Sequence, residues 1–164
     1  MTDTQRIDLL DIIQTEPRTP AAELATRLGL EAAEVAAEIE RLEADGVIKA
    51  YRAIIDWDKV GGRHIYAYVD VRVKPEPDFG FDAIARRLAL FDEVHSLYLI
   101  SGRQDLLVVV EGKDYREVAL FVAEKLAPMK GVESTATSFV LRKYKLDGQL
   151  MMGAQDDTRL AVAP

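Results

Sequence analysis

The chain has 164 residues, of which 49% are hydrophobic and 30% charged, with no cysteine and a net charge of −7. That length holds one large or two small domains with a real core, and the lack of thiols excludes disulfides, thiolate metal sites and a cysteine nucleophile. No run of eighteen apolar residues is present to span a bilayer, and the acid excess argues against tight non-specific binding to nucleic acid.

The N-terminus, MTDTQRIDLLDIIQ, is acidic and amphipathic and lacks the basic-then-apolar order of a signal peptide. Together with the absence of cysteine this fits a cytoplasmic protein. Ile7, Leu10 and Ile13 at three-residue steps, widened by Leu9, predict a first helix capped by Asp3 or Thr4. TEPRTP breaks it. Thr19 and Pro20 then suit the N-cap and first turn of a second helix, with Leu24, Ala25 and Leu28 inward. Gly29 stands where a tight turn needs a left-handed residue. A third helix follows, with Val35, Ile39 and Leu42 inward, and stops near Asp45 and Gly46. Three short helices with a small Ala25 and a turn at Gly29 match a helix-turn-helix layout, or a generic three-helix packing unit.

YRAIID, before Trp57, reads as a short linker strand, and VGGR at 60–63 as a turn. RHIYAYVDVRV alternates: Ile65, Ala67, Val69, Val71 and Val73 point one way and Tyr66, Tyr68, Asp70 and Arg72 the other. KPEPD is a loop. Phe81, Ile84, Ala85, Leu88 and Phe91 mark a helix, VHSLYLI a strand, SGRQ a tight turn and DLLVVVEG a central strand. Tyr115, Val118, Ala119, Val122 and Leu126 mark the last helix, and VESTATSFVLRKYK the last strand. The order is the split βαββαβ plan, a ferredoxin-like antiparallel sheet with two helices on one face. The expected fold class is therefore α+β. Residues 1–50 form a three-helix, winged-type helix-turn-helix domain and 51–62 a linker strand and hinge. Residues 63–146 form the ferredoxin-like domain and 147–164 a loose tail.

That order resembles the Lrp/AsnC, or feast/famine, family of prokaryotic transcriptional regulators. AELATRLGL is similar to the family's second helix and turn. IERLEADGVIKAY resembles its R-x-L-x-x-x-G-x-I-x-x-Y signature through Arg41, Leu42, Gly46, Ile48 and Tyr51. YLISGRQDLLVVVEG resembles its G-x-x-D turn through Gly102 and Asp105. The resemblance covers residues 3–146. It implies DNA as one partner and a small effector, typically an amino acid, as another. It also implies a homodimer through the C-terminal sheets, with an octamer as the larger assembly.

The effector is then expected beside Ser101, Gly102, Gln104 and Asp105, with Ser134, Thr135 and Thr137 opposite. A glycine turn offers backbone N–H groups to a carboxylate, and Asp105 an acceptor to an α-ammonium group. The competing role for Asp105 is to cap the turn between two strands.

The third helix departs from the family. Glu31 replaces the usual Ser or Thr cap, and Glu38 stands where a base is common. With Val35, Ile39 and Leu42 inward, Ala33, Glu34, Ala37, Glu38 and Arg41 face out, and such acids repel a phosphate backbone. The grip on DNA would then come from Arg18, Arg27, Lys49 and Arg52, multiplied by oligomer avidity. The alternative is a member with weakened or lost DNA binding that acts as a metabolite-sensing or protein-interaction oligomer. No catalytic residues, metal spacing or cofactor motif is visible, and the two histidines, His64 and His95, form no acid–base pair in the sequence, so an enzyme is not expected.

Overall fold

In the computed structural model, which describes residues 1–62, 64–74 and 80–152, the chain forms two units, Met1–Ile54 and Ile55–Pro164. The first begins with helix α1, Asp3–Thr15. Its cap is Thr2 rather than Asp3 or Thr4. The Thr2 hydroxyl accepts from the Gln5 N–H at 3.2 Å and the Gln5 side-chain oxygen accepts from the Thr2 N–H at 2.9 Å, a reciprocal capping box. Ile7 does not point inward and is 60% exposed. The buried pair is Leu9 and Ile13, one turn apart on the same stripe.

Helix α2 spans Ala21–Leu28, and the Thr19 cap is not formed. Pro20 holds the cap position with extended dihedrals, and its carbonyl accepts from Glu23 and Leu24. The Thr19 hydroxyl turns instead to the Glu16 carboxylate at 3.4 Å. Gly29 ends α2 at φ +66°, as the turn requires. Helix α3 spans Ala32–Ala44, with Glu31 at its cap position making no side-chain bond. Leu9, Ile13, Leu24, Ala25, Val35 and Leu42 form the unit's core, and Leu28, Ile39 and Ile48 pack against it.

Within the single chain, residues 51–56 join no sheet; from the sequence, such a linker strand is expected to pair with a neighbouring chain. A 3₁₀ turn follows at Trp57–Val60, closed by Gly61 at φ +68°. Arg63 lies outside the described residues, as does most of the KPEPD loop.

The second unit contains β1 (Ile65–Val73), α4 (Asp82–Leu88), β2 (Val94–Leu99), β3 (Leu106–Gly112), α5 (Tyr115–Leu120) and β4 (Val132–Phe139). The strands form one antiparallel sheet in the order β2-β3-β1-β4, which is the ferredoxin-like arrangement. Ala67, Val69 and Val71 are fully buried on the helix side, together with Leu88, Leu106, Val108, Val110 and Leu126.

Three expectations change here. The last helix does not keep one period. After α5 it widens into a π-helical turn, Phe121–Leu126, with Ala127 donating to the Val122 carbonyl at 2.8 Å. Phe121 at the start of the wider turn is buried, whereas Ala119 and Tyr115 in α5 are exposed. The last strand ends at Phe139 rather than running on to Lys145. The tail is not loose throughout: β5 (Lys145–Leu146) pairs with β6 (Gln149–Leu150) through Asp147 at φ 43° and Gly148 at φ 84°. That is the two-residue hairpin geometry that Asp-Gly favours. Residues 153–164 lie outside the described residues. Among the described residues no helix is long and apolar enough to cross a membrane.

Candidate DNA interface and effector turn

On α3 the outward residues divide. Ala33, Glu34, Ala37 and Arg41 are exposed, but the Glu38 side chain is only 12% exposed. Its carboxylate sits between two guanidinium groups, with Arg6 Nε of α1 at 2.6 Å and Arg41 Nη2 at 2.5 Å. Hydrogen bonds from Arg41 and then Arg6, against the opposing effect of burial, lower its pKa to about 2. Glu38 is thus a compensated tie between α1 and α3 and not a bare outward acid. The Arg41 partnership lies within one helix turn and is legible from spacing. The Arg6 partnership spans 32 residues and has no local signal.

Three other acids of this segment also find partners, while Glu31 and Glu40 are exposed with no ion pair among the described residues. Glu34 pairs with the amino terminus of Met1, Asp45 with Arg41 at 3.2 Å, and Glu43 accepts from the Tyr51 hydroxyl at 2.8 Å. Arg27 is held by Glu23 at 2.6 Å and Glu16 at 3.0 Å. Arg18, Lys49 and Arg52 are exposed, and among the described residues no ion pair engages them. Of the cations named from the sequence, these three carry uncompensated charge, and Arg27 and Arg41 do not.

In the second unit, the turn from Ser101 to Asp105 is fastened to the end of β1. Asp105 donates its N–H to the Val71 carbonyl at 3.2 Å, and its Oδ2 accepts from the Val73 N–H at 2.9 Å. Its own carbonyl accepts from Ile100 at 2.9 Å. The Asp105 side chain thus ties the turn to β1 rather than capping the turn itself, and this occupies one carboxylate oxygen. Ser101 and Gly102 are exposed, and a Cβ at Gly102 would meet nothing within 4 Å. Gln104 is half-buried, and its Oε1 is fully buried with no hydrogen-bond partner among the described residues.

Ser134, Thr135 and Thr137 are not gathered on one surface. Thr135 pairs with Val71 and Thr137 with Val69, which places both on the helix side of the sheet. Ser134 pairs with Arg72 and so belongs to the open side. Asp105 and Ser134 flank β1 from β3 and β4, two strand spacings or about 10 Å apart. Arg72 was not among the site residues expected from the sequence, yet it joins the turn: its Nη2 donates to the Arg103 carbonyl at 3.0 Å. Its outward place in the β1 alternation was the available signal. Two clefts among the described residues lie at the other end of β1. One cleft of about 350 Å³ is lined by His64, Glu93, Glu111, Lys113 and Glu117, among others.

Known proteins share both units. An Lrp/AsnC ligand binding domain matches residues 66–150, and a winged helix-turn-helix DNA-binding domain matches residues 2–49. The HTH-type transcriptional regulator YugG of Bacillus subtilis is 41% identical over 158 residues, covering 96% of this chain and 95% of that one. Among solved structures, a transcriptional regulator from Neisseria meningitidis in complex with L-Met has a TM-score of 0.69 at 25% identity, covering 89% of this chain and 94% of that one. A feast or famine regulatory protein from M. tuberculosis complexed with L-methionine has a TM-score of 0.70 at 25% identity, covering 92% and 99%.

Proposed function

The chain belongs to the Lrp/AsnC family of transcriptional regulators, and from that premise we propose that it senses an amino acid at the Ser101–Asp105 turn and reads DNA with its first unit. It is a regulator with a helix-turn-helix and a ligand-binding domain, as its relatives are, and not an enzyme. The observation that carries the DNA reading is the double pairing of Glu38. With that charge compensated, α3 presents Ala33 and Ala37 beside paired acids. Arg18, Lys49 and Arg52 remain to meet phosphates.

The effector half rests on Asp105. One carboxylate oxygen holds Val73, and the other accepts no hydrogen bond among the described residues. In this reading it takes an α-ammonium group, and the N–H groups around Gly102 take the carboxylate. The regulator acts in the cytoplasm as a homodimer, with an octamer as the larger assembly. The open face of the sheet supports self-association, since Tyr68 and Tyr98 are 47% and 52% exposed beside the nearly buried Val109. Effector binding would shift assembly by favouring one oligomer over another, which requires different affinities for the two.

The test has two arms. Binding to the protein's own promoter fragment is measured across a salt series. Specific binding that weakens as salt rises supports the reading, and its absence at low salt means that this member no longer reads DNA. Thermal stabilisation is screened against the amino acids, and no hit among them removes the effector assignment.

A further inference from the structure

Both histidines of the chain meet one carboxylate. His64 Nδ1 lies 2.5 Å from Glu111 Oε1, and His95 Nδ1 lies 3.2 Å from Glu111 Oε2. On its other side His64 stacks on Trp57, the only tryptophan, with ring centroids 4.3 Å apart and planes at 26°. Trp57 begins the 3₁₀ turn just inside the second unit, on the segment that arrives from the first. The turn folds back closely: a Cβ on Gly62 would lie 2.7 Å from Trp57 Cε3. An imidazole is therefore held between a linker indole and a strand carboxylate.

The surrounding charges come from every neighbouring element. The linker supplies Asp56, Asp58 and Lys59, with Asp56 and Lys59 paired at 3.4 Å. Tyr66 on β1 meets the His95 ring edge-on at 5.5 Å and carries Lys143 Nζ 3.6 Å from its own ring centre. Arg142 and Tyr115 line the same side, while Asp92, Glu93, Lys113 and Glu117 line the cleft beyond Glu111. Glu93 is itself paired with Lys125. Burial pushes the Glu111 carboxyl up, but hydrogen bonds from His64 and Tyr66 outweigh it and hold it below the usual carboxylate range. Burial pushes the Lys143 amine down, against the attraction of Asp58, Glu111 and Asp56.

We propose that His64, held between Trp57 and Glu111, is a proton-operated clasp that fastens the linker turn to the effector domain as pH falls through the imidazole range. A neutral imidazole N–H already gives the ionised Glu111 a charge-assisted bond. An imidazolium adds the attraction of opposite charges, and it also becomes a cation over an indole face. Glu111 stays ionised throughout that interval, so the gain is not cancelled by loss of the acceptor. His95 on the second oxygen competes for the same negative charge. The first proton therefore tightens the clasp most, and a second leaves net positive charge beside Lys143. The consequence is mechanical. The DNA-reading unit is tethered through this turn, and fastening the turn shortens the free part of the tether and narrows the spacings that paired reading units can reach.

The experiment uses the full chain and its single indole. Trp57 emission is followed between about pH 8 and 5.5, on either side of the ordinary imidazole pKa near 6.5. Hydrogen exchange of residues 55–62, corrected for the intrinsic pH dependence, is followed over the same interval. The expected result is quenching of the indole and slower exchange of the linker at the acid end. His64→Gln should remove the emission change, Glu111→Gln should move its midpoint to lower pH, and His95→Gln should keep the change with a displaced midpoint. Emission and linker exchange that stay constant with pH in the wild type overturn the clasp. So does an unaltered transition in His64→Gln. The wild-type exchange measurement decides the matter even if a variant does not fold.

Discussion

Arg6 on α1 and Glu38 on α3 are joined at 2.6 Å, and Arg41 closes on the same carboxylate from α3 itself at 2.5 Å. The sign of the resulting pH dependence is fixed by the lowered pKa. An unfolded glutamate titrates near 4.3, and folded Glu38 near 2. The stabilisation is thus fully present above the unfolded value and is lost as pH falls from about 4.5 towards 2. Thermal midpoints of the wild type and Glu38→Gln should differ at pH 6 and converge in acid. A constant gap would show that the carboxylate charge contributes nothing.

The DNA contacts are separable by their salt dependence. If Arg18, Lys49 and Arg52 each neutralise one phosphate, alanine at each lowers the slope of log affinity against log salt by about 0.9. Arg41→Ala changes the slope less, because that guanidinium is already engaged by Glu38 and Asp45. Anisotropy titrations on the promoter fragment distinguish the two groups.

Asp105 calls for a substitution that preserves its structural bond. Asparagine still presents an oxygen to the Val73 N–H but carries no charge. Asp105→Asn should leave the melting temperature of the free protein nearly unchanged and weaken a confirmed amino-acid hit about tenfold or more, the loss of one charge-assisted bond. Equal affinity in the two proteins would remove Asp105 from the site.

Two glycines separate backbone strain from crowding. Gly29 has φ +66° and an added Cβ there would find nothing within 4 Å, so Gly29→Ala meets only the left-handed penalty of about 1–2 kcal/mol. Gly131 has φ +93°, and a Cβ there falls 2.6 Å from Ile84 Cδ1. Gly131→Ala should be the more destabilising in denaturant titration, because Ile84 belongs to the buried core and must move.

In that core, Leu126 is fully buried at the end of the π turn. Leu126→Ala removes three carbons and leaves a cavity, at a cost of about 2–5 kcal/mol by calorimetry.

The legible parts of the molecule are those governed by local periodicity. The alternation from Ile65 to Val73 foretold which side of β1 is buried, and Gly29 foretold the turn between α2 and α3. The last helix was misread at Ala119, which is exposed, while Phe121 at the start of the π turn is buried. Asp147-Gly148 carried a hairpin signal that the short, irregular flanking sequence concealed. The Arg41 half of the compensation of Glu38 was legible at helical spacing, but the half from Arg6 comes from a different helix, so charge counted along α3 overstates the acidity that a ligand would meet. The same limit applies to the effector candidates on β4, where alternation alone separates Ser134 from Thr135 and Thr137.

Among the described residues, the six buried ones that hold the three helices together and the fourteen that hold the sheet to its helices have no member in common. A packing defect at Leu42 is repaired or suffered among helix neighbours, and one at Leu126 among sheet neighbours. Inheritance can therefore revise what this protein reads and what it senses in separate steps, each filtered by its own folding requirement.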